Sequence, residues 1–273
     1  MAEPAATTVR SGCTGATHIF LVHGVCHGGW CWYKVAARLR RLRPLAAGRV
    51  VAPDLAASGV DDRRLREVLT FRDYSAPLLD ALRSLPDGER AVVVGHSLGG
   101  LSVALAAEEF PDKVAAAVFL CAFMPDCTSP PGHVLLQHAK GANPESQNDN
   151  EMKPQDGEAK LPASFMFGPH FTEQNVYQPG AEPGTKSLMR IGSVFLEDLQ
   201  LMEALSMDCY GSVRKVYIVC KQDRTLSEEF QRWMVSNNPV DEVKEIDGAD
   251  HMAMLSAPDD IVQCIVDIVA KYN

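Results

Sequence analysis

The chain has 273 residues, 46% of them hydrophobic and 22% charged, with a net charge of −9. That length holds one large α/β domain, or a core carrying an inserted cap, with a sizeable buried interior. The acidic balance argues against a nucleic-acid binder, which needs clustered Lys and Arg, and no apolar run reaches the roughly 18 residues of a membrane span.

Met1 to Thr17 is rich in Ala, Thr and Gly and lacks the apolar segment of a secretory signal. It reads as a disordered tail (1–17), with a plastid-type transit peptide as the alternative. The expected location is cytoplasmic. The eight cysteines are scattered, mostly inside apolar runs, without a CxxC pair. Buried free thiols in a reducing compartment are the plain reading, and no metal is expected.

His18 to His23 is a short β-branched run closed by Gly24 and reads as a buried strand. A helix follows over Tyr33–Leu42, then a strand over Arg49–Pro53 and the loop Asp54–Gly59. The spacing of Tyr74, Leu78, Leu82 and Leu85 predicts a helix over Phe71–Leu85, stopped by Pro86-Asp-Gly88. Ala91–Val94 is the next strand, Leu98–Phe110 a helix, and Ala115–Phe123 an almost wholly apolar, central strand. Lys215–Cys220 and Asp241–Ile246 are two more strands, with helices at Ser227–Val235 and Pro258–Lys271. The alternation predicts an α/β fold with a mostly parallel sheet covered on both faces. From Pro125 to about Cys209 the alternation stops, and Asn143–Lys160 looks loop-like. We read 18–125 and 209–273 as core and 126–208 as an inserted cap.

Gly95-His96-Ser97-Leu98-Gly99 is a G-x-S-x-G pentapeptide, directly between a predicted strand and a predicted helix. In that setting it marks a nucleophile on a sharp strand-to-helix turn. The turn lifts the hydroxyl above the strand ends, beside a helix N-terminus that favours developing negative charge. Side chains at 95 and 99 are expected to collide across the turn. A serine needs a base. His251 follows the last strand, and Asp223 follows the strand before it, in the chain order serine, acid, histidine. Asp247 and Asp250 are rivals for the acid; Asp223 is preferred because it comes from the neighbouring strand. The oxyanion hole is expected from the backbone N–H groups of Leu98 and Val25, the latter in the loop His23-Gly-Val-Cys-His-Gly-Gly29. His23 and His27 read as loop structure rather than metal ligands.

These residues, with Asp54-Leu-Ala-Ala-Ser-Gly59, Ala122-Phe-Met-Pro-Asp126, Tyr210-Gly-Ser-Val213, Glu229-Phe-Gln-Arg-Trp233 and Gly248-Ala-Asp-His-Met-Ala-Met-Leu255, resemble the plant methylesterase and hydroxynitrile lyase family of the α/β-hydrolases. The resemblance implies the α/β-hydrolase fold, a Ser97–Asp223–His251 triad, no cofactor, and often a homodimer. It also implies hydrolysis of a small-molecule ester: methyl salicylate, methyl jasmonate or methyl indole-3-acetate. The lyases carry threonine, lysine and often glutamate where this chain has Gly24, Met252 and His96, so the esterase is preferred over the lyase. A hormone receptor of the same fold is the other alternative, against which the intact triad speaks. The resemblance weakens in the cap, at Tyr177–Gly184 and at the polar 141–160 stretch. Phe123, Phe165, Phe167, Leu196 and Met252 are the expected apolar walls of the substrate pocket.

Overall fold

The computed structural model describes residues 17–42, 48–141, 149–154, 161–178 and 184–272. The expected tail and most of the polar 143–160 stretch lie outside these residues.

Six strands form one parallel sheet. They are β1 (Thr17–Val22), β2 (Val50–Val51), β3 (Arg90–Ser97), β4 (Val114–Ala122), β7 (Lys215–Cys220) and β8 (Glu242–Ile246), in the order β2-β1-β3-β4-β7-β8. Between β4 and β7 in the chain, β5 (Glu151–Lys153) and β6 (Ser164–Met166) pair as a separate antiparallel hairpin. Every residue of β4 is buried, and so are Ala91 to Ser97 of β3. Successive strand residues point to opposite faces, so burial of both sets requires cover on both sides.

That cover is helical. The helices are α1 (Tyr33–Leu39), α2 (Phe71–Arg83), α3 (Gly99–Glu109), α4 (His133–Gly141), α5 (Pro169–Phe171), α6 (Leu196–Leu201), α7 (Glu228–Asn237), α8 (Ala253–Ser256) and α9 (Pro258–Tyr272). α1 packs on α9, and α2 on α3. Thr70 starts α2 with a capping box: its Oγ1 accepts from the Asp73 N–H at 3.0 Å, and Asp73 accepts from the Thr70 N–H at 3.2 Å. Ser227 caps α7 in the same way as a single acceptor.

The expected strand over Arg49–Pro53 shrinks to two residues, and Asp54 explains why. Its carboxylate accepts from the Gly29 and Val60 N–H groups at 2.7 and 3.1 Å. The chain is thus drawn out of the ladder into a loop. One addition is the hairpin, inside the segment where no strand–helix alternation was read. Phe165 N–H and carbonyl both bond to Gly192 (2.7 and 3.0 Å), so the hairpin is extended by a bridge within the segment.

Residues of 126–208 reach the loops at the carboxyl ends of the strands. Arg190 N–H donates to the Cys26 carbonyl at 3.0 Å, and the Thr225 hydroxyl to the Asn175 carbonyl at 3.2 Å. The Arg190 guanidinium donates to the carbonyls of Gly59 and Asp61 at 2.9 and 2.7 Å. No described helix is long and apolar enough to cross a membrane.

Candidate functional site

β3 runs into α3 with one residue between them, Leu98, and the strand's last residue is Ser97. Ser97 has φ +54°, a left-handed conformation that L side chains rarely adopt. Two glycines make so tight a turn possible. A Cβ on Gly95 would lie 2.6 Å from the Gly99 carbonyl oxygen and 2.6 Å from Val103 Cγ2. A Cβ on Gly99 would lie 2.5 Å from the His23 carbonyl oxygen. The collision expected across the turn therefore exists at 95, whereas position 99 is emptied for β1. Gly24 closes the other side: its Cβ would lie 2.8 Å from Ser97 Cβ and 3.3 Å from Ser97 Oγ. The loop after β1 thus runs against the serine.

Asp223 and His251 meet on the same edge. His251 Nδ1 lies 2.8 Å from Asp223 Oδ2, and both residues are buried. A carboxylate only accepts, so Nδ1 carries the proton and Nε2 is left as the ring's basic atom. The second Asp223 oxygen accepts from the N–H groups of Thr225 and Leu226, at 2.7 and 2.8 Å. The rivals are committed elsewhere. Asp247 is exposed and paired with Lys221 at 2.8 Å, and Asp250 accepts from the Ser256 hydroxyl at 2.7 Å. Among the described residues, Ser97 Oγ makes no hydrogen bond to the His251 ring, a link that often tightens only with substrate in place.

The loop after β1 turns sharply: His27 N–H bonds back to the Gly24 carbonyl at 3.4 Å, with Val25 and Cys26 between. His23 Nε2 accepts from the Leu55 N–H at 3.0 Å. Its Nδ1 must therefore carry the proton, which it donates to the Gly24 carbonyl at 2.8 Å. That carbonyl shares a peptide plane with the Val25 N–H, so His23 sets the plane's tilt. Val25 and Leu98 are buried, and neither N–H has a hydrogen-bond acceptor among the described residues. Leu98 precedes the first residue of α3, where N–H groups have no intrahelical acceptor.

Of the expected pocket residues, Phe123 is tied to the serine: its N–H donates to the Ser97 carbonyl at 3.0 Å. Its ring meets His138 of α4 and Phe230 of α7 edge-on. Phe165 accepts a hydrogen bond from Cys26 Sγ (3.5 Å) and packs edge-on against Phe167, which stacks on Phe171. Met252 is buried beside His251. Leu196 begins α6, after Phe195, whose ring sits on Phe71 and Tyr74 of α2.

One described His/Cys grouping is compact enough to consider for a metal: His96, Cys121 and His251, with ligand atoms within 4.8 Å of one another. Three of its five candidate donor atoms are engaged, which leaves His251 Nε2 and the buried His96 Nδ1, unpartnered among the described residues. His96 Nε2 and Cys121 Sγ both point at the His251 carbonyl, at 2.7 and 3.5 Å, and His251 Nδ1 is on Asp223. Burial also drives the Cys121 thiol well above its usual range, away from the thiolate a metal needs.

The profile of the alpha/beta hydrolase family matches residues 19–263. The chain belongs to that family. Salicylic acid-binding protein 2 of Nicotiana tabacum is 43% identical over 259 residues, covering 94% of this chain and 98% of its own length. Methylesterase 1 of Arabidopsis thaliana is 42% identical over 259 residues, covering 93% and 97%. The crystal structure of polyneuridine aldehyde esterase superposes with a TM-score of 0.87 at 37% identity, covering 93% of this chain and 99% of that one. Within the α/β-hydrolases the chain groups with the plant methylesterases.

Several residues take part in this hydrolase's site in ways that no motif announced. His96 holds the His251 backbone through the bond above. Gln231 of α7 accepts from the Cys220 N–H and donates to the carbonyls of Cys220 and Leu226, all within 3.0 Å, so it fixes both ends of the Asp223 loop. His138 Nε2 donates to the Thr225 carbonyl in that loop at 2.9 Å. His96 lies inside the pentapeptide and Gln231 inside a block of the resemblance, but neither signal gave the role seen here.

Proposed function

We propose that this protein is a serine carboxylesterase acting on small methyl esters of plant hormone-type acids, through an acyl-enzyme on Ser97. Its class, carboxylic ester hydrolase, follows from the methylesterase relatives. The observation that carries the finer reading is the buried Asp223–His251 hydrogen bond on the sheet edge where the Ser97 elbow stands. Ser97 Oγ attacks the ester carbonyl carbon while His251 Nε2 takes its proton. The N–H groups of Val25 and Leu98 receive the negative charge on the carbonyl oxygen. The intermediate collapses, and methoxide leaves as methanol with the proton from His251. Water then attacks the acyl carbon, giving a proton to His251, and the acid and free Ser97 are released. Asp223 orients the ring and stabilises its charged form.

Support for ester hydrolysis over cyanohydrin cleavage comes from two positions. Gly24 leaves the space beside Ser97 Oγ open, and Met252 is neutral and buried, with no charge to offer a departing cyanide. The substrate range (methyl salicylate, methyl jasmonate, methyl indole-3-acetate) rests on the names of the relatives and on the resemblance. Phe123, Phe165, Phe167, Leu196 and Met252 are the walls assigned to the acid's apolar body. The reading includes a cytoplasmic homodimer that uses no cofactor.

The test is product formation by the purified protein and by Ser97→Ala on those three methyl esters, a p-nitrophenyl ester and mandelonitrile. Ester turnover that disappears in the variant is expected, and the best ester names the substrate. Equal turnover by the variant, or cyanide release without ester turnover, would overturn the reading.

A further inference from the structure

The loop that carries Val25 is held from two directions. From the core, His23 fixes the carbonyl before Val25. From the other side, His27 of the same loop fixes the carbonyl after it and is itself held by a tyrosine of 126–208. His27 Nδ1 lies 2.8 Å from the Val25 carbonyl, and His27 Nε2 lies 2.7 Å from the Tyr177 hydroxyl. A carbonyl only accepts, so Nδ1 carries the proton. Burial holds the His27 pKa down to about 4, which leaves the ring neutral and Nε2 bare at pH 7. The Tyr177 O–H must then donate to Nε2. The chain of bonds has one direction: Tyr177 hydroxyl to His27, His27 to the Val25 carbonyl.

The turn it holds is strained. Cys26 has φ +65°, a conformation costing ~1–2 kcal/mol for a residue with a Cβ, and such a residue persists only where its surroundings over-determine it. Its own carbonyl is taken by the Arg190 N–H at 3.0 Å. Both carbonyls that follow the Val25 N–H are therefore held by groups belonging to, or aligned by, 126–208. Tyr177 is itself fixed there: it is buried, and its N–H closes the Thr172–Val176 turn on the Thr172 carbonyl at 2.8 Å.

We propose that Tyr177 is a positioning residue which, through His27, aims the Val25 N–H at the oxyanion, so that seating of the cap and assembly of the oxyanion hole are one event. This rests on the reading of Val25 as an oxyanion donor to a Ser97 adduct. The Tyr177 hydroxyl touches neither substrate nor reacting atom, and its contribution appears only as charge develops on the carbonyl oxygen.

Tyr177→Phe keeps the ring and deletes only the hydroxyl. It is expected to lower kcat roughly ten-fold, less than the hundred-fold or more lost with a whole oxyanion donor, with KM within about two-fold. Affinity for a trifluoromethyl ketone, which forms a charged adduct on the serine, is expected to fall by the same factor. Affinity for the product acid is expected to hold. In a His27→Gln background the Tyr177→Phe change is expected to add little, because the two act in series. Val176→Ala, a buried packing change in the same turn, shows what loosening alone does: ketone and acid affinities are expected to move together. A Tyr177→Phe variant with unchanged kcat and ketone affinity, or one that tracks Val176→Ala, would overturn the inference. Ser97→Ala runs alongside. If it keeps full turnover, the serine reading fails; if it is dead while Tyr177→Phe is normal, this inference alone fails.

Discussion

Gly24 sits so close to Ser97 that its missing side chain is part of the site. A Cβ there would approach Ser97 Cβ to 2.8 Å. Gly24→Thr is therefore expected to cut kcat/KM for esters by roughly ten-fold or more, since about 1.4 kcal/mol of misplacement is enough. Its thermal midpoint is expected to fall as well, because the new Cβ also meets the His96 carbonyl oxygen of the buried elbow at 3.3 Å. Steady-state kinetics and a melting curve on one preparation check both. At this scale the legible residues were those tied to a motif or to chain order: Ser97, His251 and Asp223. Tyr177, His96 and His138 were not legible. Each acts through one hydrogen bond to a group far away in sequence, a ring nitrogen for Tyr177 and a backbone carbonyl for His96 and His138, and such a bond leaves no period or spacing to read.

The strand–helix elbow is the element on which the proposed chemistry depends, and its glycines are set by packing. Gly99 lies where the end of β3 passes β1, so Gly99→Ala drives a methyl group to 2.5 Å from the His23 carbonyl oxygen. Overpacking of this kind costs ~1–3 kcal/mol. Urea titration is expected to show that loss, with the midpoint lowered and the slope unchanged. An alanine variant as stable as the parent would mean that β1 and the elbow are less tightly packed than this. The core elements were legible because β4 and residues Ala91–Val94 of β3 are apolar without interruption, and α2 and α9 carry one apolar stripe each. β2 was over-read because its apolar run continues into residues that Asp54 pulls into a loop. The β5–β6 hairpin was missed because its strands are three residues long, too short for an alternation to show.

Across the whole molecule, histidines are buried around the site, and two of them, His27 and His138, join it to 126–208. Burial holds His23, His27, His96 and His138 below the usual imidazole range, His27 at about 4. In the unfolded chain each titrates near 6.5. Below that value the unfolded chain takes up protons that the fold refuses. The stability these groups contribute is thus complete above pH 6.5 and is lost as the pH falls toward 4. Thermal midpoints measured at fixed ionic strength are expected to drop through that window, with His27 alone contributing on the order of 1–3 kcal/mol. A midpoint that stays level from pH 7 to pH 4.5 would contradict this. Such joints explain why the sheet was legible and the 126–208 segment was not. The sheet buries whole faces that follow a repeat. The 126–208 segment is held by scattered ties, such as Arg190 to three loop carbonyls and Asp198 to the Phe71 N–H.

The central claim is covalent catalysis by Ser97, and the most direct test is to catch the intermediate. The protein is mixed with a p-nitrophenyl ester, quenched in acid during turnover, digested and examined by mass spectrometry. The account predicts one acyl group on the peptide containing Ser97, and none after the same treatment of Ser97→Ala. Sustained turnover with Ser97 unmodified, or with the acyl group on another residue, would contradict it.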